Sequence, residues 1–402
     1  MRCLPIGLLA LLTGLTCPAS AEGIGPANFT VHWERSTTIP EGRGPAAGFQ
    51  LTGVTVLPDR SLALLAIDPP DQYLFLGTNK DGIGSEVLLP RDGSWPLGIN
   101  SGAGGDLWLS GFANQWMFVP GDTKRDAYLA KYDTDGNLIW ERTYGWWDFR
   151  MITRVVPLPS GDLVVAGAHG RDGGWIAKLD QSGSILWEHD MGLRQGVGVA
   201  ALPDGYLAVT AIEGAGEKSA YREHVTVFVF NANGALVRRT IIREDLNDSS
   251  GAHFGSVGMA AVADGIYVIT TWTHDSRPRT TEVAKVAPDG TILWKRQLPQ
   301  TVLDNGTGWK SVCRPSLAAL SDGDAIVGCA AASGELLFYR LASATGEATM
   351  TTAPLPDCQN GRWHARMSLV PHGDGVVWVI GSLTPFEKSS GCTWLGELSL
   401  AE

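Results

Sequence analysis

The chain has 402 residues, 44% of them hydrophobic and 18% charged, which is enough apolar side chain to fill a core and too little charge for a disordered tail. Lysine and arginine number 31 against 42 aspartate and glutamate, a formal net charge of −11; this excludes the basic face of a nucleic-acid binder and disfavours docking on anionic lipid. Fifty glycines and 15 tryptophans point to turn-rich β structure rather than helices.

Residues 1–21 read MRCLPIGLLALLTGLTCPASA. Arg2 supplies a positive start, residues 4–15 an apolar stretch too short to span a bilayer, and Ala19-Ser20-Ala21 a small-x-small cleavage site. The expectation is a signal peptide over 1–21, cleavage after Ala21 and a mature domain over 22–402 in the periplasm or outside the cell. Lipid attachment at Cys17 is the alternative, with Thr16 where a small residue is the rule. No later run approaches 18 apolar residues, so no transmembrane segment is expected. Cys313, Cys329, Cys358 and Cys392 remain after cleavage. In an oxidising compartment they make two disulfides, of three possible arrangements, with Cys313–Cys329 and Cys358–Cys392 expected because each pair falls on one blade; a zinc site is the competing reading, without a C-x-x-C pair to support it.

Internal repetition dominates the rest of the chain. Seven hairpins of the form apolar run, small or acidic turn, apolar run lie at 54–66, 99–111, 154–167, 199–211, 259–271, 317–329 and 368–381. They recur about every 50 residues, near the period of four-stranded propeller blades. A second hairpin follows each of them. Three copies align without gaps, at 128–141, 175–188 and 282–295: an alternating run ending in Lys, a turn with Gly136, Gly183 or Gly290, and a run ending in Trp140, Trp187 or Trp294. Glycine supplies the positive φ of the tight turn, and the tryptophans are expected to pack between blades. Weaker copies keep Gly82, Gly234 and Gly346, with Arg238 and Met350 at two of the Trp positions. The seventh second hairpin is half missing, because 393–400 is one strand and the chain then ends. The strand at 28–36, whose Trp33-Glu34-Arg35-Ser36 echoes Trp140-Glu141-Arg142-Thr143, is expected to complete that blade. The fold class is therefore all-β, a seven-bladed β-propeller closed by pairing of its N- and C-terminal strands. Closure removes the sheet edges that an open solenoid or a pair of sandwiches would expose.

The D-x-x-G-x-x-x-W pattern (Asp133 to Trp140, Asp180 to Trp187) resembles the repeats of bacterial PQQ-like β-propellers. That family contains quinoprotein alcohol dehydrogenases, an outer-membrane assembly propeller and many secreted proteins. The resemblance implies a propeller over about residues 28–400 and raises PQQ as a cofactor. The dehydrogenases usually have eight blades, and neither their vicinal cysteine pair nor a calcium-ligand set is found here.

Short D-G turns occupy one face of such a ring, and long loops, where binding residues concentrate, occupy the other. The innermost strands begin on the loop face, with Arg150, Arg194, His253, Arg314 and His364 or Arg366; Lys310 is nearby, and Trp146, Trp147, Phe254, Trp309 and Trp363 flank them. Arginine forks carboxylate, sulfate or phosphate, and tryptophan faces stack on sugars or flat rings. The expected partner is an anionic small molecule, an acidic glycan or an envelope protein, bound without catalysis; nucleic acid is not expected. The alternative is an enzyme at the same mouth: a lyase, a hydrolase or a quinone-dependent oxidoreductase. A plainer reading has the same cations pinning loops through Asp148, Asp245, Asp304 or Asp357. His169, His253, His274 and His364 map to this face and raise a metal, but no close spacing supports one, so no cofactor is assigned. The G-x-S-x-G elbow, the sialidase D-x-G-x-T-W box and P-loop spacing are all absent.

Overall fold

The computed structural model describes residues 24–26, 29–35, 50–68, 71–78, 84–90, 93–102, 104–113, 126–145, 150–169, 173–191, 194–202, 205–215, 222–243, 253–273, 280–299, 303–304, 310–311, 315–330, 335–354, 363–373, 376–385 and 392–400; residues 1–23, on which the export signal rests, lie outside them. Each pair of hairpins forms one antiparallel four-stranded sheet, and there are seven such sheets. The strands at one end of these sheets are Gln50–Val56, Trp95–Ser101, Arg150–Pro157, Arg194–Ala201, His253–Val262, Ser316–Ala319 and Trp363–Gly373. Each of them packs on the next, and the seventh packs back on the first. They are the innermost strands of blades 1 to 7 and enclose a central channel.

The terminal strands close the ring as the split repeat predicts. Phe29–Arg35 pairs antiparallel with Cys392–Leu400, with Val31 opposite Leu398, and forms the outermost strand of blade 7. Two elements leave no repeat signal in the sequence. Ile24–Pro26 adds a parallel fifth strand to the rim of blade 6, with Ile24 opposite Ala348. A short pair, Leu303–Asp304 with Lys310–Ser311, lies between blades 5 and 6.

A lone blade would leave both of its faces wet. The second strands therefore read as continuous apolar runs, and Leu107–Ala113 (LWLSGFA) is buried along its whole length. The core is correspondingly divided among the blade interfaces. One cluster joins Ala63, Leu65 and Leu74 of blade 1 to Ile99, Leu107 and Tyr128 of blade 2. Another joins Trp108 and Tyr144 of blade 2 to Ile152 and Trp175 of blade 3, and another closes blade 7 on blade 1 through Trp378, Ile380, Leu51 and Phe75.

The repeat motif is the outer rivet of these interfaces. The bulky residue on the last strand of one blade lies against the turn glycine of the next. A Cβ added to Gly183 would stand 2.8 Å from Trp140, one on Gly234 2.7 Å from Trp187, and one on Gly346 2.7 Å from Trp294. The degenerate copies keep this arrangement with other side chains: Val87 lies 2.7 Å from the Cβ position of Gly136, and Arg238 lies 2.8 Å from that of Gly290. A side chain two residues or more beyond the bulky one then bonds the same glycine's carbonyl, as Tyr144 Oη does to Gly183 (2.8 Å), Thr240 Oγ1 to Gly290 (2.8 Å) and Arg296 Nε to Gly346 (3.0 Å). Gly183 and Gly234 also hold φ of +81° and +82°, where a side chain is strained. The turn aspartates cap these loops. Asp180 accepts bonds from the Ser182 hydroxyl and from the Ser182 and Ser184 amides, which hold its carboxyl below the usual range. The repeat lysine ties the third strand to the inner turn, in the pairs Lys131–Asp106 (2.6 Å), Lys178–Asp162 (3.0 Å) and Lys285–Asp264 (2.6 Å).

The rivet is tested by two glycines of similar backbone. At Gly205 (φ +77°) an added Cβ meets only Ala232, at 3.7 Å, so Gly205→Ala should cost the left-handed strain alone, about 1–2 kcal/mol. Gly234→Ala must also displace Trp187, and its loss of stability in urea unfolding should be clearly the larger of the two.

Candidate functional site

Every titratable residue on the seven innermost strands is basic. They carry Arg150, Arg154, Arg194 and Arg366 with His253, His364 and His372, and no aspartate or glutamate. The chain as a whole has 31 basic residues against 42 acidic ones, so the inner strands carry the opposite sign of charge to the chain as a whole. A one-signed wall of low dielectric focuses the field along its axis.

Backbone register brings several of the sequence candidates to one end of the ring. Arg150 stands opposite His169, Arg194 opposite Ile212, His253 opposite Thr273, His364 opposite Thr384 and Arg366 opposite Ser382, all toward the far ends of the second strands. Trp363 pairs with Pro385 beside them, and Lys310 pairs with Asp304 in the short ribbon. The side chains of Arg194, His253, Lys310, Trp363, His364 and Arg366, and the whole of Trp147, Trp309 and Arg314, lie outside the described residues.

Arg150 is described fully. Its side chain is buried, 6% exposed, with its guanidinium 5.3 Å from the Trp175 ring centre and Nη1 3.4 Å from Glu188 Oε2. Trp175 Nε1 donates to the same Glu188 oxygen at 2.8 Å. Two similar arrangements escape sequence reasoning. Arg243 of blade 4 lies over Trp272 of blade 5, 3.6 Å from the ring centre, and donates to Glu282 at 3.0 Å. Arg239 pairs with Glu213 at 2.6 Å, and Glu213 also accepts from the Thr226 hydroxyl. These three arginines are each matched to a glutamate. His169 Nδ1 lies 3.1 Å from Asp190.

Arg154 differs from them. It stands opposite Ala166, and the equivalent register position in the other blades holds Gly53, Gly98, Gly198, Gly258, Ser316 and Ser368. The small residues suit the close approach of neighbouring inner strands: a Cβ on Gly53 would stand 3.0 Å from the Ile99 nitrogen, and one on Gly198 3.4 Å from Met259 Cβ. Arg154 is nevertheless exposed. Its Nη1 donates to the Thr153 carbonyl at 3.0 Å, and among the described residues it makes no ion pair. The protein surrounding it on the channel wall removes enough solvation to lower its pKa from the ordinary arginine value. Exposure together with enclosure places the guanidinium in the channel. Aligning the residue just before each inner apolar run would have found it, as the one large side chain among glycines and serines.

Among the described residues, no group of three or more His, Cys, Asp or Glu is placed to hold a metal. Cys329 is buried on the second strand of blade 6. The side chains of Cys313, Cys358 and Cys392 lie outside the described residues. Among the described residues, no helix is long and apolar enough to cross a membrane.

No protein-family model and no curated protein matches the chain. Solved structures do. An ulvan lyase, a polysaccharide lyase bound to -[GlcA(1-4)Rha3S]-, is similar with a TM-score of 0.53 at 9% identity, over 88% of this chain and 94% of that one. BBS1N from its complex with ARL6DN is similar with a TM-score of 0.50 at 15% identity, over 94% and 98%. At these identities the likeness is one of fold.

The Arg243–Glu282 pair is open to a direct test. The register position of Glu282 is held by Tyr128 in blade 2, Trp175 in blade 3 and Leu337 in blade 6. Arg243→Ala strands a glutamate only 9% exposed and should cost about 2–3 kcal/mol, below the figure for a wholly buried pair because the arginine is partly wet. Adding Glu282→Leu should recover most of that loss, measured as the shift in urea midpoint.

Proposed function

We propose that this protein is an exported propeller that binds an anionic ligand at the mouth of its channel, on the loop-rich face, without chemistry of its own. The observation that carries the reading is that the inner strands of an acidic protein carry arginine and histidine and no aspartate or glutamate. Acidic ligands approaching such a molecule are repelled by its outer surface and attracted along its axis. Arg194, Arg314 and Arg366 would fork the acid groups, with Lys310, His253 and His364 adding donors and Arg150 held behind them on Trp175. Trp147, Trp309 and Trp363 would supply stacking faces. The ligand class we favour is an acidic saccharide. The ulvan lyase, similar in fold, was solved bound to -[GlcA(1-4)Rha3S]-, an acidic saccharide. BBS1N in complex with ARL6DN makes an envelope protein the runner-up partner. The PQQ-like kinship, with PQQ itself as a ligand of flat aromatic faces, belongs to the same proposal and rests on the D-x-x-G-x-x-x-W repeat alone. Export rests on residues 1–21, and with it go the pairings Cys313–Cys329 and Cys358–Cys392, which non-reducing peptide mapping checks.

Titration with a sulfated, uronate-containing oligosaccharide should give saturable binding that weakens steeply as salt rises toward about 0.5 M. Arg366→Ala and Arg314→Ala should each weaken it at least about fivefold, with melting shifted by no more than about 2 °C. Early melting with unchanged affinity would make these residues structural. Release of unsaturated uronate from the bound oligosaccharide would convert the reading to a lyase.

A further inference from the structure

We infer that Arg154 is the anchor of a separate anion site inside the channel, which takes a single oxyanion of the sulfate or carboxylate class. The inference deepens the reading above, since it shares the sign of the ligand, but it concerns a different level. Arg154 lies four residues along the strand from Arg150, on the order of 10 Å below the mouth.

The site is built by contrast with the other six blades. At this level a Cβ on Gly53 would crowd the Ile99 backbone of the next blade, and one on Gly198 would crowd Thr210 of its own second strand. A long side chain at the same position has one open direction, the lumen. Arg154 takes it, and its exposure on a strand surrounded by protein records this. One guanidinium donor is used, on the Thr153 carbonyl. Among the described residues its other N–H groups have no acceptor, and the inner strands around them carry no carboxylate. The glycines and serines at the same level keep that space open, and the Ser316 hydroxyl, which accepts from the Leu369 amide at 3.0 Å, retains its own proton to donate. Each inner strand is the end strand of its sheet, so its unpaired edge adds backbone N–H groups to the lumen. A cation here is poorly solvated and, among the described residues, has no acid beside it. Arg150, Arg239 and Arg243 are each matched to a glutamate, whereas this one is matched to no acid among the described residues. A planar fork with free donors in a low-dielectric enclosure suits a carboxylate or a sulfate better than a spherical halide.

The other blades supply the control variants. Arg154→Gly and Arg154→Ser install residues that six blades already carry at this position, so the ring is expected to form. In buffer of low ionic strength without multivalent anions, both variants should melt at or above the wild-type temperature, since an uncompensated charge is removed. Inorganic sulfate, free glucuronate and the sulfated oligosaccharide are then titrated into each protein by calorimetry, with sodium chloride as the ionic-strength control. Tighter binding of sulfate or glucuronate to the wild type than to either variant, by tenfold or more, supports a site for a free oxyanion. A tenfold loss for the oligosaccharide alone supports a site for one acid group of a larger ligand. Arg154→Lys should retain part of the affinity in either case. Equal affinity of wild type, Arg154→Gly and Arg154→Ser for all three probes overturns the inference, as does failure of all three to bind the wild type. If Arg154→Gly keeps full affinity for sulfate, glucuronate and the oligosaccharide while Arg366→Ala loses the oligosaccharide, the channel site is refuted and the mouth site stands. If Arg366→Ala leaves binding intact while Arg154→Gly abolishes it, the channel site stands without the mouth.

Discussion

No blade of this protein can cover itself. A four-stranded sheet whose second strand is apolar on both faces needs a neighbour on each side, and a row of such sheets is finished only when the last meets the first. Closure therefore governs everything else. The chain achieves it by holding back the final strand of blade 7 and supplying it as Phe29–Arg35 from the other terminus. Backbone hydrogen bonds between the two ends thereby join the cooperative unit, and the added strand Ile24–Pro26 extends the same device onto blade 6.

The outer rivets follow from that constraint. Where the interfaces splay toward the rim, a large side chain is needed to fill the wedge and a glycine to receive it. Trp140, Trp187 and Trp294 meet Gly183, Gly234 and Gly346 in this way, and Val87 and Arg238 fill the same place with less surface. At the inner end the demand reverses. The strands converge, so glycine and serine recur at one register level and spare volume is left only along the axis. Outer bulk and inner smallness are two consequences of one wedge-shaped geometry.

Charge is distributed on the same plan. Lysines of the third strands pair with aspartates of the inner turns, and arginines at the loop-face ends of the blade interfaces lie over Trp175 or Trp272 with a glutamate beside them. The lysine pairs and the Arg150 pair tie strands within a blade, and the Arg243 pair joins blade 4 to blade 5. Arg154, on an inner strand, makes no such pair among the described residues. Fold likeness to a polysaccharide lyase and to a propeller within a protein complex agrees with a scaffold on which different sites are built.

Much of this was legible in the amino-acid sequence. The count of inner hairpins, the half repeat at each end and the Gly–Trp spacing determine seven blades and their closure, because strand alternation and tight-turn chemistry are local and leave their period in the chain. The placement of Arg150, Arg194, His253 and Arg366 on inner strands came from the same periodicity. What the local pattern does not carry is direction across an interface. That Arg243 crosses from blade 4 to Glu282 of blade 5, and that Arg154 is left with only the channel to enter, were decided by the tertiary structure. Each depends on how near the next blade stands, a distance set by the closed ring as a whole and written in no single repeat.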